Sequence, residues 1–262
     1  MSLFQTSKGK LEVTRTGRTG PLIIFIHGGP GMSSAYLRTS LKGLSEHYRL
    51  LFFDQLGCGL SDLPPDFNIS TVTESAAELI NHHAAEEKEY YVFAHSWGAY
   101  LFMRFINGHM LGLAPEKIIF CNPAPLSSEV YDKAMRSLVS KMPRETLLDI
   151  DKMAKRGTNK DGAALLRAAL PYYCGRQENL PALDFEYSLS SHKRIMAGME
   201  TYDFNKDFSS ISDRSYFIFG STDFIRPEDF QGVRNSFVLN GGHYVFEEDK
   251  KGLMLALNEI IR

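Results

Sequence analysis

The sequence predicts an α/β fold: a mostly parallel, doubly wound sheet with a helical segment inserted before its last strands. Three observations predict it. Short apolar runs of strand length recur with little polar alternation, as in strands covered on both faces. Helical patterns lie between several of them, as right-handed crossovers require. One long interval, about residues 124 to 210, carries only amphipathic helical patterns before strand-like runs resume.

The elements follow in order. The first twenty residues, "MSLFQTSKGKLEVTRTGRTG", lack the apolar centre of a leader. "LIIFIH" (22–27), "RLLFFD" (49–54), "YYVFAH" (90–95) and "KIIFCN" (117–122) read as strands. "TVTESAAELINHHAAEEKE" (71–89) sets Ala77, Leu79, Ile80 and Ala84 among charges and reads as a helix. A second helix, "WGAYLFMRFINGH" (97–109), begins directly after Ser96. The insert contains "SSEVYDKAMRSLVSKM", "RETLLDIDKMAKR", "DGAALLRAALPYY" and "LDFEYSLSSHKRIMAGM", punctuated by Pro143, Gly157, Pro171, Gly175 and Pro181. "SYFIFG" (215–220) and "NSFVLN" (235–240) return to the sheet. The tail, 247–262, opens on Glu247, Glu248 and Asp249, which favour a helix N-terminus. The expected division is a core of 1–123 and 211–262 with a helical cap of 124–210. Such a cap can roof a site at the carboxyl edge of the sheet.

Composition narrows the function. The chain has 262 residues, 44% hydrophobic and 23% charged, which suits one α/β domain. A net charge of -2 leaves no nucleic-acid footprint, and "PLIIFI" is far short of a membrane span. Cys58, Cys121 and Cys174 form no CxxC pair, so reduced thiols and a cytoplasmic location are expected. No HxxxH or HxH pair stands with a carboxylate at ligand spacing, so neither a metal nor another cofactor is expected. The expected partner is a small molecule or short peptide as substrate. Nothing in the chain speaks to oligomeric state.

Three stretches carry chemistry. In "FAHSWGAYL" (93–101), Ser96 follows an apolar strand and precedes a helix, with Ala94 and Gly98 two residues either side. A nucleophile on such a strained turn needs small neighbours. The pentapeptide also arises by chance, so on its own it decides nothing. In "HGGPG" (27–31), glycines after a strand allow a sharp turn and expose N–H groups for an oxyanion. A tight turn alone would look the same. A phosphate loop would need Gly-Lys-Ser/Thr, and Pro30 interrupts a dinucleotide fingerprint. In the third stretch, Asp223 and His243 each follow a late strand, at "SYFIFGSTDF" and "NSFVLNGGHYV". A serine is activated by a histidine that a carboxylate orients. The turn after "KIIFC" reads "NPAP" and has no acid, so Asp223 has no close competitor. Of the remaining histidines, His95 abuts Ser96 but is expected to point away, and His27 to brace the glycine turn.

The order Ser96, Asp223, His243 is that of α/β-hydrolases. "HGGPG", "DQLGCGLSD" (54–62) and "HSWGAYL" together resemble the proline iminopeptidase family of serine peptidases, over residues 22 to about 110 and again 215 to 250. That resemblance implies Ser96 as nucleophile, Asp223 as acid and His243 as base, with the N–H groups of Gly29 and Trp97 as the oxyanion hole. It implies an aminopeptidase-like enzyme that cleaves a small amide or peptide with a free N-terminus. The alternatives are a carboxylesterase or lactonase on small acyl substrates, and a low-turnover ligand-binding protein of the same fold. The chain departs from the family pattern at Ala94, where glycine is usual, and at Leu56, where arginine is frequent. Those peptidases hold the substrate amine with glutamates. Glu200 is the cap counterpart, whereas Phe224 stands beside Asp223 where some members have glutamate.

Overall fold

The computed structural model describes residues 1–261. Six strands run parallel: β3 (Leu22–Ile26), β4 (Arg49–Phe53), β5 (Tyr90–His95), β6 (Lys117–Cys121), β7 (Ser215–Gly220) and β8 (Asn235–Leu239). Two more, β1 (Ser2–Thr6) and β2 (Gly9–Thr16), form an antiparallel hairpin that joins the sheet through β4. The strand order is β1-β2-β4-β3-β5-β6-β7-β8. Every residue of β3 and β5 is buried, as their unbroken apolar runs demand.

Successive residues of the central strands feed two apolar layers. Ile24, Ile26, Val92 and Ala94 face one layer, with α2 (Ile69–Ala84) and α3 (Trp97–Asn107). Ile23, Phe25, Tyr91 and Phe93 face the other, with α1 (Ala35–Leu41) and the C-terminal helix. The parallel strands all end on one edge, so the loops after β3, β5, β7 and β8 converge there.

Several boundaries differ from those the sequence predicts. The hairpin β1–β2 is absent from the sequence reading, because buried Glu12 between Leu11 and Val13 blurs the two-residue alternation of β2. Helix α2 starts two residues early. Asn68 accepts the Ser70 and Thr71 N–H groups while the Thr71 hydroxyl accepts the Asn68 N–H. It ends at Ala84, short of residue 89, where Glu87 pairs bidentately with Arg49 at 2.8 and 2.7 Å. The tail forms a short α9 (Val245–Glu248) and then α10 (Lys250–Ile260), capped by Asp249 through the Gly252 N–H. Arg262 lies outside the described residues.

Five helices separate β6 from β7: α4 (Ser128–Ser140), α5 (Arg144–Arg156), α6 (Asn159–Tyr173), α7 (Leu189–Ala197) and α8 (Asn205–Ser209). The helix predicted over 183–199 forms only from Leu189. The preceding backbone is committed elsewhere: Ser33 N–H donates to Glu186 O at 3.0 Å and Ser188 N–H to Gly31 O at 2.7 Å, around an antiparallel bridge of Met32 with Tyr187. The Ser188 side chain then caps α7 by accepting the Ser191 N–H. Helix α8 packs against α3, with Phe208 on Phe120 and Phe217. No helix among the described residues is long and apolar enough to cross a membrane.

Candidate active site

Ser96 sits between the last residue of β5 and the first of α3, at φ 53° and ψ -120°. A non-glycine residue pays for that angle in strain, and three main-chain bonds hold it. Ser96 N–H donates to Cys121 O, and Ser96 O accepts from Ala99 and Ala124 N–H. Gly98 must lack a side chain, since a Cβ there would lie 2.2 Å from Ile26 O. Ala94 is fully buried, so its methyl fits where the family pattern has glycine.

The Ser96 Oγ lies 2.9 Å from His243 Nε2. His243 Nδ1 lies 3.1 and 3.2 Å from the two oxygens of Asp223. Asp223 has two further donors: its own neighbour's N–H, Phe224, at 2.7 Å, and Asn122 Nδ2 at 2.6 Å. A carboxylate with those partners orients Nδ1–H towards itself and leaves Nε2 as acceptor for the serine proton. His243 and Asp223 are buried, while Ser96 keeps part of its surface open.

Gly28 packs on Ser96, and Gly29, at φ +149°, stands against the Trp97 ring. The main-chain N–H groups of Gly29 and Trp97 have no acceptor among the described residues. Trp97 is also the first residue of an eleven-residue helix, so the positive end of its dipole adds to these donors. The peptide Gly29–Pro30 is cis.

A buried hydrogen-bonded brace joins these loops. Tyr36 Oη accepts the Gly28 N–H at 2.7 Å and bonds His95 Nδ1 at 2.7 Å. His95 Nε2 lies 3.0 Å from His243 O. Every atom is satisfied by one assignment: Nε2–H donates to His243 O, and Tyr36 O–H donates to Nδ1. His95 thus points away from the Ser96 hydroxyl. Burial first, and then His243, push its pKa well below the ordinary histidine value, which keeps it neutral. His27 accepts the Gln55 N–H at Nε2 (3.0 Å) and bonds Gly28 O through Nδ1 (2.7 Å). Gln55 in turn accepts from Trp97 Nε1 at 3.2 Å.

Four supporting residues escaped the sequence reading. Asn122, in the turn set aside for having no acid, holds Asp223 and also reaches Gly242 O at 3.3 Å. Glu248 accepts the Gly242 N–H at 2.9 Å, and Asp249 the Asn240 N–H at 3.1 Å, fixing the loop that carries His243. Tyr36 carries no catalytic signature in sequence at all. The spatial order of strands brings Asn122 to Asp223 and Tyr36 to His95.

A cavity of about 310 Å³ opens over Ser96 and His243. Its walls are Gly28–Pro30 and the insert residues Tyr131, Met135, Leu165, Leu166, Tyr173 and Tyr187, with Lys193 as the one Lys or Arg and no Asp or Glu among the described residues. Phe224 covers the His243 ring at 5.1 Å between centroids. Glu200 is not brought there. Helix α7 ends at Ala197, Gly198 caps it, and the chain turns back so that Glu200 is exposed, with no hydrogen bond or ion pair among the described residues. Its charge reaches Tyr100, whose pKa is raised by burial first and by Glu200 last. A wider depression of about 600 Å³ beside Glu12, Arg38 and Glu186 contains none of Ser96, Asp223 and His243. All three cysteines are buried and unpaired, and no group of three or more metal-ligating side chains is gathered among the described residues.

Strand order, the serine turn and the converging loops are those of one hydrolase architecture, and the chain belongs to the alpha/beta hydrolase family, whose model matches residues 23–253. It is similar to the proline iminopeptidase of Heyndrickxia coagulans, with 29% identity over 165 residues, 62% of this chain and 56% of that protein. The match thus spans only about half of that relative's length. Among solved structures, an esterase from Exiguobacterium antarcticum superposes with a TM-score of 0.71 at 16% identity, over 99% of this chain and 98% of the other. The proline iminopeptidase of Mycobacterium smegmatis superposes with a TM-score of 0.67 at 20% identity, over 99% and 98%.

Proposed function

We propose that the protein is a serine hydrolase acting on small, largely apolar acyl compounds, esters before amides. One observation carries this: the hydrogen-bonded row Ser96–His243–Asp223 beneath a cavity with apolar walls, beside two unpartnered N–H groups. Ser96 Oγ attacks the carbonyl carbon as its proton passes to His243 Nε2. The carbonyl oxygen becomes an oxyanion facing the Gly29 and Trp97 N–H groups, each worth ~3 kcal/mol of transition-state stabilisation. The imidazolium, steadied by Asp223, gives its proton to the leaving group, whose bond to carbon breaks to leave the acyl-serine. Water then attacks by the same route and restores Ser96. Helices α4 to α7 act as the cap that shapes the acyl pocket. Three buried free thiols suit a reducing compartment, so a cytoplasmic location is part of this proposal.

The aminopeptidase reading draws support from the relatives' names, but a free amine is cationic at neutral pH and needs a carboxylate in reach. The cavity wall offers none among the described residues, and Glu200 lies outside it. The ester reading therefore stands first. The test is a fluorophosphonate probe with a panel of butyryl esters and prolyl, alanyl and leucyl amides. Wild type is expected to be labelled at Ser96 and to prefer esters, and Ser96→Ala to lose both labelling and turnover while remaining folded. Full turnover by Ser96→Ala would end the serine mechanism, and a preference for free-amine amides would restore the peptidase.

A further inference from the structure

The roof of the cavity holds more polar capacity than a plain acyl group could use. Tyr131, Tyr173 and Tyr187 all line it, and none of their hydroxyls has a hydrogen-bond partner among the described residues. Elsewhere the buried phenols Tyr36 and Tyr90 spend their hydroxyls on protein atoms, Gly28 N–H and Leu113 O. None of the three hydroxyls is among the buried polar atoms left unpaired, so each is open to the cavity and free to bond a ligand group in place of water. The three are close neighbours. Burial comes first in raising the pKa of Tyr187, and Tyr173 and Tyr131 raise it further; Tyr173 is raised in the same way by burial and then Tyr131. They therefore remain protonated donors at any working pH.

Their position relative to the chemistry is defined. The Tyr173 ring lies 5.2 Å from the His243 ring, and its carbonyl accepts the His243 N–H at 2.9 Å. Tyr187 sits on the segment bridged to Met32, one residue beyond the glycine turn. Lys193 also lines the cavity; its ammonium spends one donor on Ala154 O at 2.7 Å and keeps two. Tyr244 and His192 line the same cavity, so its wall combines four tyrosines, His192 and one cation, with no Asp or Glu among the described residues.

We propose that the substrate carries a carboxylate in addition to its scissile acyl bond, held by the hydroxyls of Tyr131, Tyr173 and Tyr187 with Lys193 at the rim. This rests on the hydrolase reading of Ser96 and deepens it: the enzyme cleaves half-esters or comparable monoanionic acyl compounds. Ester and carboxylate sit a few bonds apart, one at Ser96 and the other under the cap. The carboxylate belongs either to the acyl half or to the leaving half.

Two ester series separate those cases. In the first, 4-nitrophenyl hydrogen glutarate is compared with its methyl-capped diester. In the second, the butanoate of 4-hydroxybenzoic acid is compared with the butanoate of methyl 4-hydroxybenzoate. A kcat/KM at least about tenfold higher for the monoanion is expected in one series, as charge-assisted hydrogen bonds provide. The first series would assign the carboxylate to the acyl half and the second to the leaving half. The ratio of anionic to capped substrate should fall about tenfold in Tyr173→Phe and in Tyr187→Phe. It should fall in Lys193→Met as well, together with its dependence on salt. Calorimetric binding of monomethyl glutarate against dimethyl glutarate to Ser96→Ala reads the same preference without turnover. A preference for the capped partner in both series and in the calorimeter, or ratios unmoved by the tyrosine substitutions, would overturn the proposal. If Ser96 is not labelled and no ester turns over, the hydrolase reading falls by itself, and the calorimetric preference still decides the carboxylate.

Discussion

Tyr36→Phe removes one oxygen and leaves the ring in place. The ring is 1% exposed, so nothing from solvent can replace what is lost. Two buried groups lose their partner: the Gly28 N–H and His95 Nδ1, each bonded at 2.7 Å. An unpaired buried group costs about 1–3 kcal/mol, so with two such groups the variant should lose about 2–6 kcal/mol of stability. At roughly 2–4 °C per kcal/mol for a domain of this size, Tm should fall by about 4–24 °C. The effect on rate follows from position. Gly28 precedes Gly29, the proposed oxyanion donor, and His95 holds the carbonyl of His243. Slackening both should lower kcat by about 10- to 100-fold, part of the loss that removing an oxyanion donor causes, with KM nearly constant. Calorimetric melting and steady-state kinetics on a butyryl ester measure the two effects on one sample. A Tm within 1–2 °C of wild type, at most about 1 kcal/mol, together with unchanged kcat would refute the brace.

Asn122→Gly removes the amide that holds Asp223; glycine is the proper probe because it tolerates the φ of 43° at this position. A drop in kcat of about tenfold with a loss of about 2 kcal/mol is expected, and wild-type values for both would show that Asp223 is held without it. Glu12 is buried beside Asp54, and burial first, then the hydrogen bond and charge of Asp54, push its pKa from 4.5 up to about 7. The folded chain therefore keeps a proton that the unfolded chain releases, so stability falls as pH rises from about 4.5 to about 7. Melts of wild type and Glu12→Gln across pH 4–8 should coincide at the acid end and diverge in favour of the variant above pH 7; parallel curves would count against the pair. Glu200→Gln should leave kcat/KM within about twofold on esters and on free-amine amides alike, given its exposure, and a selective loss on amines would return it to the site.

Much of the sheet was legible because its strands are short, unbroken apolar runs rich in Ile, Val, Phe and Tyr, too short for buried helices. "LIIFI" and "YYVFAH" are apolar without alternation, and all of their residues are buried. The serine turn was legible for a local reason: Gly98 abuts Ile26 O, and a side chain could not pass. What escaped depends on distance along the chain. Asn122 and Asp223 are 101 residues apart and meet only because β6 and β7 are adjacent. Tyr36 and His95 are 59 apart and meet through β3. Residues 185–188 had helical periodicity, but their main chain found better partners in Gly31 and Ser33. Glu200 sat in the right interval of sequence, yet a helix end and a glycine decided where it faced.

The bridge between Tyr187 and Met32 sets where this protein could be recombined with its relatives. His192 Nδ1 reaches Pro30 O at 3.2 Å, Ser191 Oγ donates to Gly57 O at 2.6 Å, and Arg194 donates to Pro65 O and Phe67 O at 3.0 Å. Residues 186–194 are thus sewn to the turns that follow β3 and β4, although they lie far along the insert. A chimera that exchanges the whole insert at its sequence ends would import a foreign seam and re-register the glycine turn beneath it. A graft that replaces only 128–173 and keeps 186–194 with the native sheet leaves that seam whole. Crossover points for a library of hybrid enzymes are therefore dictated by this bridge and these side-chain bonds rather than by the strand boundaries.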